Sequence, residues 1–397
     1  MNDKQQILST VSLFHGFNDG AISVIPLLFP IFKIIFDLSY TQIGAITSGG
    51  LAISLISQLC IGRISDKKNY RTLLSTGILI LSASMLFFTT AQGFLTVMLA
   101  MFILRFGSSF FHPLGIGLIS RTFKKQNLDS AMGIQSGFGD LGAFLAVLTT
   151  LYIAELKGWQ FPFYIWSFCG IIILFTGILL TRSTDETYFR YNQSHHQKQT
   201  VSEAFREWKT MMRKMKVFVP LLIISGAIWG VTVSYLPLYL DETTNLLLPI
   251  IGLLVSCWIG IGTIISFFYG RIQHIIGRRK LLTIAYLFTG LSSISIILTP
   301  SIPLIIAMIF LLGISSFLTF PALFSFISEA THESKEGKTF GYTFTLQLGG
   351  GTVFLFLSGA IADILGIWIP FAFLGISSLF ATFLLLITHK QSSISFS

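Results

Sequence analysis

Charge is what this sequence has least of. Only 11% of its 397 residues are Asp, Glu, Lys or Arg, against 53% hydrophobic residues. A soluble domain carries about 25% charged residues, so this much apolar surface has no place in water. Cysteine is scarce too: Cys60, Cys169 and Cys257 are the only three, and all lie in apolar runs. An odd number of such cysteines argues against a disulfide framework or a cysteine metal site and leaves them as packing residues. No stretch alternates polar and apolar residues over ten positions, which argues against a membrane β-barrel. The N-terminus, MNDKQQILST, has no basic n-region and no small-residue cleavage site. The first apolar run therefore reads as a retained span and not a signal peptide. Also missing are a nucleophile–base cluster, a metal-ligand spacing such as HExxH and a Gly-rich phosphate loop. No enzyme activity, metal or cofactor is expected.

What is there is a series of apolar runs near 20 residues long, enough to cross roughly 30 Å of hydrocarbon as helix. Twelve spans are predicted: 7–32, 41–62, 72–90, 94–119, 130–154, 162–181, 217–240, 248–269, 280–299, 303–327, 338–362 and 368–388. An even number puts both termini on one side. If that side is the cytoplasm, it holds all but three of the 26 Lys and Arg once Lys280 and Lys338, at the cytoplasmic ends of their spans, are counted with it; the exceptions are Lys33, Lys157 and the intramembrane Arg105. The positive-inside rule then orients the chain with both termini in the cytoplasm. It also accounts for the net charge of +9 without a nucleic-acid partner.

Shifting the chain by 208 residues superposes it on itself. GRISDKKNYRTLL (62–74) meets GRIQHIIGRRKLL (270–282), and Gly142, Gly158 and Pro162 meet Gly350, Gly366 and Pro370. Chance apolar similarity does not keep Gly, Pro and Arg in one register. The expected fold is all-α and membrane-embedded: two pseudo-symmetric six-helix halves, 1–181 and 217–397, around a central cavity. The linker, 182–216, carries Val201, Phe205, Trp208, Met212 and Met215 at helical spacing, with Arg206, Lys209, Arg213 and Lys214 largely between them. It reads as a basic amphipathic helix on the cytoplasmic surface, or as a solvated linker with incidental periodicity. His195 and His196 in the linker read as chance neighbours.

The spans, the duplicated halves and the loop after the second span resemble the major facilitator superfamily, whose loop reads G-x-x-x-D-x-x-G-R-[RK]. The first copy has Gly62, Asp66 and Arg71, with Asn69 and Tyr70 replacing the usual Gly and Arg. The second has Gly270, Gly277, Arg278 and Arg279, with His274 replacing Asp. The resemblance implies a gating loop of Gly62, Asp66, Arg71, Gly270 and Arg279, with Gly62 allowing close approach and Asp66 capping or pairing when the cytoplasmic side is shut. Simple positive-inside anchoring is the other reading. HGFND in the first span and GSSFFHP in the fourth resemble the fosmidomycin-resistance type of exporter within that superfamily. GFGDLG (137–142) lacks the Gly-Pro pair common in the superfamily's drug antiporters, which counts against drug efflux.

Five ionisable residues lie well inside spans: His15, Asp19, Arg105, His112 and Asp140. Each is costly there, about 2.5–3.5 kcal/mol on translocon scales. Their shifted counterparts, Ile223, Ala227, Gly313, Phe320 and Leu348, are all non-ionisable. The fold repeats but this chemistry does not. His15 and Asp19 are i, i+4 and share a helix face, with Asn18 beside them. Arg105, Ser109 and His112 share another, and Pro113 loosens the helix next to His112. At 1.5 Å rise per residue, all five fall within about two turns of height near the midplane. The resemblance places spans one, four, seven and ten on the cavity, with span five beside it.

The roles expected are proton binding at Asp19, proton relay at His15, and a carboxylate or anionic solute held by Arg105. His112 is a solute contact or second relay, and Asp140 reaches Arg105 from span five. Each also has a purely structural alternative, above all an Asp140–Arg105 pair. Gln347 and aromatic residues of the second half, Trp229, Tyr235, Tyr239 and Trp258 among them, suit an amphipathic solute. The expected function is a monomeric transporter of a prokaryotic-type plasma membrane. It would export a small amphipathic or anionic compound, as in antibiotic efflux, by antiport with protons. Proton-coupled uptake of an organic acid or other metabolite is the alternative.

Overall fold

The computed structural model describes residues 2–65, 69–123, 125–190, 206, 209, 218–329 and 336–388. Among them there is helix and no strand. The first half comprises α1 (Asp3–Leu27), α2 (Phe29–Ile35), α3 (Tyr40–Ser65), α4 (Tyr70–Phe88), α5 (Phe94–Ser108), α6 (Phe111–Thr122), α7 (Lys125–Lys157) and α8 (Phe161–Leu180). A single 3-10 turn follows at Glu186–Phe189. The second half comprises α9 (Phe218–Thr243), α10 (Leu248–Phe267), α11 (Tyr269–Ile276), α12 (Arg278–Leu298), α13 (Ile302–Glu329), α14 (Glu336–Leu365) and α15 (Ile369–Ile387).

Ten of these helical segments are long and apolar enough to cross a membrane, and the bent pair α1–α2 makes an eleventh. The 26-residue α3 stands where the remaining predicted span belongs. α1 starts in a capping box, in which Asn2 Oδ1 accepts from the Gln5 amide and Gln5 Oε1 accepts from the Asn2 amide. It ends in a 43° bend, with Pro26 and Pro30 flanking Leu28. Each proline removes a backbone donor. The fourth span is interrupted at Ser109–Phe110 between α5 and α6, just before His112 and Pro113. The amphipathic linker helix lies outside the described residues apart from Arg206 and Lys209.

Two compact units emerge from the packing: Met1–His196 with Asn245–Ser256, and Gln197–Thr244 with Cys257–Ser397. Within each, the 208-residue repeat recurs as contacts and not only as letters. Gly158 and Gly366, at φ +99° and +110°, close the fifth span of their halves. Their amides donate to Ala154 and Ala362 at 2.9 and 2.8 Å. A side chain would be strained at either position. Spans three and six touch where the Ser167 hydroxyl donates to the Ser82 carbonyl at 2.9 Å. The same crossing is made in the other half by Gly290 and Gly375, almost backbone to backbone. Spans three and four meet at Leu81 and Gly107, and again at Thr289 and Ser315, there through a 3.0 Å hydrogen bond. Small residues let such helices approach closely in lipid.

One pair of repeated contacts exchanges its sizes. Gly50 makes room for the stem of Arg105, whereas in the second half Trp258 lies against Gly313. Trp258 then packs tilted against Trp229 and edge to face on Phe317, with ring centroids 5.2 and 5.4 Å away. The first half holds a half-buried cation at this crossing and the second an aromatic cluster.

Candidate functional site

The polar site is built on the face of α1 that packs against α7. These two helices nearly touch: a side chain on Gly142 would collide with the Gly16 carbonyl, and one on Gly16 would lie 2.8 Å from the Phe138 carbonyl. That proximity puts backbone and glycine from α7 directly against His15. His15 is buried, at 7% exposure. Its Nδ1 lies 2.8 Å from the Gln135 carbonyl oxygen, which only accepts, so Nδ1 carries a hydrogen. Its Nε2 lies 3.2 Å from Asp19 Oδ2. The neutral ring would therefore turn a lone pair toward a carboxylate. A proton on either partner, or a cation between them, resolves this. Phe111 stacks on the imidazole at 4.4 Å, and Gly139 leaves the room the ring occupies.

Asp19 is the centre of the group. Asn18 Nδ2 donates to its Oδ1 at 2.8 Å, and His112 Nε2 stands 3.9 Å from the same oxygen. His112 also meets His15 edge to face at 5.5 Å. The break before α6 thus brings a histidine far away in sequence to the His15–Asp19 pair. Reading the sequence by spacing assigned no metal ligands; the fold brings three ligating atoms, one each from His15, Asp19 and His112, within 4.8 Å of one another.

Arg105 interacts electrostatically with Asp19. No carboxylate among the described residues comes within the 4.0 Å of an ion pair to it, Asp140 included. Its Nε is buried with no hydrogen-bond partner. Asp140 lies close enough to act electrostatically on Asp19 and His15. Asn18 Oδ1 and Gln135 Oε1 are likewise buried without hydrogen-bond partners. Gln347 lies elsewhere, in the second unit, donating to Ser225 Oγ at 2.8 Å and so tying α14 to α9. Tyr235 and Tyr239, expected on a cavity wall, spend their hydroxyls on the Leu355 and Ile296 carbonyls, both at 3.0 Å.

Of the expected gating loop, Asp66 lies outside the described residues, and nothing is described of the side-chain environment at Gly62. A side chain at Gly270 would meet open space. Arg71 and Arg279 have matching roles within their own halves. Arg71 donates to the Thr181 carbonyl at 2.9 Å and pairs with Glu186. Arg279 donates to the Leu385 carbonyl at 2.6 Å and to Thr388 Oγ1 at 2.8 Å. Each guanidinium caps the C-terminal end of its half's sixth span, where the helix dipole favours a cation. Asn69, which departs from the family loop, is the N-cap of α4, accepting from the Arg71 and Thr72 amides at 2.9 and 3.5 Å. Residues that sequence reasoning missed are Gln135, Gly139 and Phe111. A backbone carbonyl has no signature in sequence. The register did hold one hint, since Gly139 aligns with Gln347.

Known proteins bear on this arrangement. The Major Facilitator Superfamily model matches residues 9–355 and also 222–395. A putative proline/betaine transporter of Staphylococcus haemolyticus (strain JCSC1435) is 23% identical over 296 residues, 70% of this chain and 61% of that protein. The fosmidomycin resistance protein of Escherichia coli (strain K12) is 33% identical over 107 residues, 27% of this chain and 26% of that one. The chain thus matches about a quarter to three-fifths of the length of these relatives. The crystal structure of a bacterial homologue of the human lysosomal transporter Spinster aligns over 98% of this chain and 97% of that one, with TM-score 0.80 and 14% identity, a likeness of fold. The chain therefore belongs to the major facilitator superfamily and is a multi-pass membrane protein.

Proposed function

We propose that this protein is a proton-coupled antiporter that exports a small amphipathic or anionic compound. The carrying observation is the His15–Asp19 pair, in which Nε2 faces a carboxylate at 3.2 Å while Nδ1 is committed to a carbonyl. Asp19 carries the exchanged proton, and His15 relays it through Nε2, an imidazole being suited by its unperturbed pKa of about 6.5. Arg105, with its unpartnered Nε, takes the solute's anionic group. His112 and Asn18 orient Asp19, and Asp140 adjusts the local charge. The halves 1–181 and 217–397 alternate in access as a monomer, joined by the 182–216 linker, with both termini in the cytoplasm. The partial similarity to a fosmidomycin resistance protein favours efflux. The longer similarity to a putative proline/betaine transporter favours the second reading, uptake of a small metabolite with protons.

In proteoliposomes, an imposed pH gradient drives solute exchange in the native chain and fails to do so in Asp19→Asn. Equal exchange in the variant overturns the coupling role. Direction is read in cells. Survival of an inhibitor such as fosmidomycin that requires Arg105 marks export; growth on a limiting metabolite that requires Arg105 marks uptake.

A further inference from the structure

We propose that His15, Asp19 and His112 form a binding site for a divalent transition-metal ion. The site uses the same side chains as the proposed function but does not depend on proton coupling.

The donor set is two imidazole nitrogens and one carboxylate, which suits Zn²⁺, Co²⁺ or Ni²⁺ and not Mg²⁺ or Ca²⁺, whose sites are built of oxygen. The distances are close to those of a loaded site. Metal–ligand bonds near 2.05 Å in a tetrahedron put neighbouring donor atoms about 3.3 Å apart. His15 Nε2 and Asp19 Oδ2 are 3.2 Å apart, His112 Nε2 and Asp19 Oδ1 are 3.9 Å apart, and all three donors lie within 4.8 Å. Shifts of about an ångström or less, shared between His112 and the pair, complete the triangle.

The surroundings are those a metal ligand needs. A ligating histidine donates its other N–H to a carbonyl or carboxylate, which fixes the tautomer and raises the basicity of the ligating nitrogen. The Gln135 carbonyl does this for His15 at 2.8 Å. Asn18 holds the carboxylate at 2.8 Å, and the Phe111 ring fixes the imidazole plane at 4.4 Å. The lone pair that neutral His15 presents to Asp19 needs either a proton or a cation between the two, and with a metal ion it becomes a ligand atom. Charge sets the limit. Asp19 supplies one negative charge, with Asp140 also acting on this group, while Arg105 opposes a dication. Three protein donors leave at least one coordination position open, where water or an anionic solute drawn by Arg105 binds. Metal entry displaces protons from the histidines and Asp19, so proton and metal compete for one site.

The test uses the full chain purified in detergent and Co²⁺ as the probe, followed by its visible d–d absorption and by competition with Zn²⁺. His195 and His196 are replaced by alanine in every protein so that the linker pair contributes nothing. The expected result is one saturable Co²⁺ site, displaced by Zn²⁺, with protons released on binding. Asp19→Asn, His15→Gln and His112→Gln each weaken it at least about tenfold. Arg105→Ala binds Co²⁺ at least as tightly as the parent. Zn²⁺ raises the melting temperature of the parent and not of the ligand variants, which separates lost binding from lost folding. Absence of saturable Co²⁺ binding by the parent, or binding that Asp19→Asn and His112→Gln leave unchanged, overturns the proposal. Proton-driven exchange in chelator-treated vesicles is scored separately. Exchange without Co²⁺ binding removes the metal site and leaves the antiporter; Co²⁺ binding without exchange does the reverse.

Discussion

His15 is the residue on which the site turns, because one ring nitrogen is committed to a carbonyl that only accepts and the other faces the Asp19 carboxyl group. The sequence made His15 and Asp19 legible: i, i+4 spacing on an apolar helix puts them on one face, and the missing counterparts at Ile223 and Ala227 mark them as more than scaffold. Their supports were not legible. Gln135 acts through its backbone carbonyl, and Gly139 acts by having no side chain. A Cβ at Gly139 would sit 2.8 Å from His15 Cε1 and Nε2 and 3.0 Å from Asp19 Oδ2. Gly139→Ala is therefore expected to push the imidazole off Asp19. Overpacking of this kind costs about 1–3 kcal/mol, so the protein should still fold while solute exchange falls sharply. Exchange rates and melting curves measured together check this; unchanged exchange would show that the His15–Asp19 geometry is not needed.

At the scale of elements, the helices were legible and their breaks only partly so. Apolar length located the spans, and Pro113 foretold a weak point in the fourth. The 43° bend at Leu28 was not foreseen, since its two prolines sit at the end of an otherwise continuous apolar run. Arg71 and Arg279 show how a loop motif changes meaning once packed. Each caps the sixth span of its own half. If that cap is their main work, Arg71→Ala and Arg279→Ala each lower stability by about 0.3–1 kcal/mol, and up to about 2 where partly buried. Arg71→Ala loses the more, because Glu186 also loses its ion pair, though it keeps the Asn69 side-chain amide. Thermal melts in detergent check this. Unchanged melts with altered exchange rates would return both residues to a gating role.

For the whole molecule, the distribution of charge predicts orientation. Lys33→Cys and Lys157→Cys, in a chain with Cys60, Cys169 and Cys257 replaced, are expected to react with an impermeant thiol reagent in intact cells. Lys280→Cys is expected to react only after permeabilisation. The opposite pattern inverts the topology. The sequence by itself determined the class, the spans and the duplication, because apolar length and a preserved register of Gly, Pro and Arg are properties of the chain read in order. It also singled out the polar residues of the first half, through what the second half lacks. Only the tertiary structure decided which of them meet. His112 joins Asp19 while Asp140 forms no ion pair with Arg105, since the rotation of each helix and the break between α5 and α6 are set by packing against neighbours. The exchange of Gly50 and Arg105 for Trp258 and Gly313 at one repeated crossing is of the same kind. A shared backbone geometry admits either pairing of sizes, and only the packed contact shows that the large and small partners have changed places.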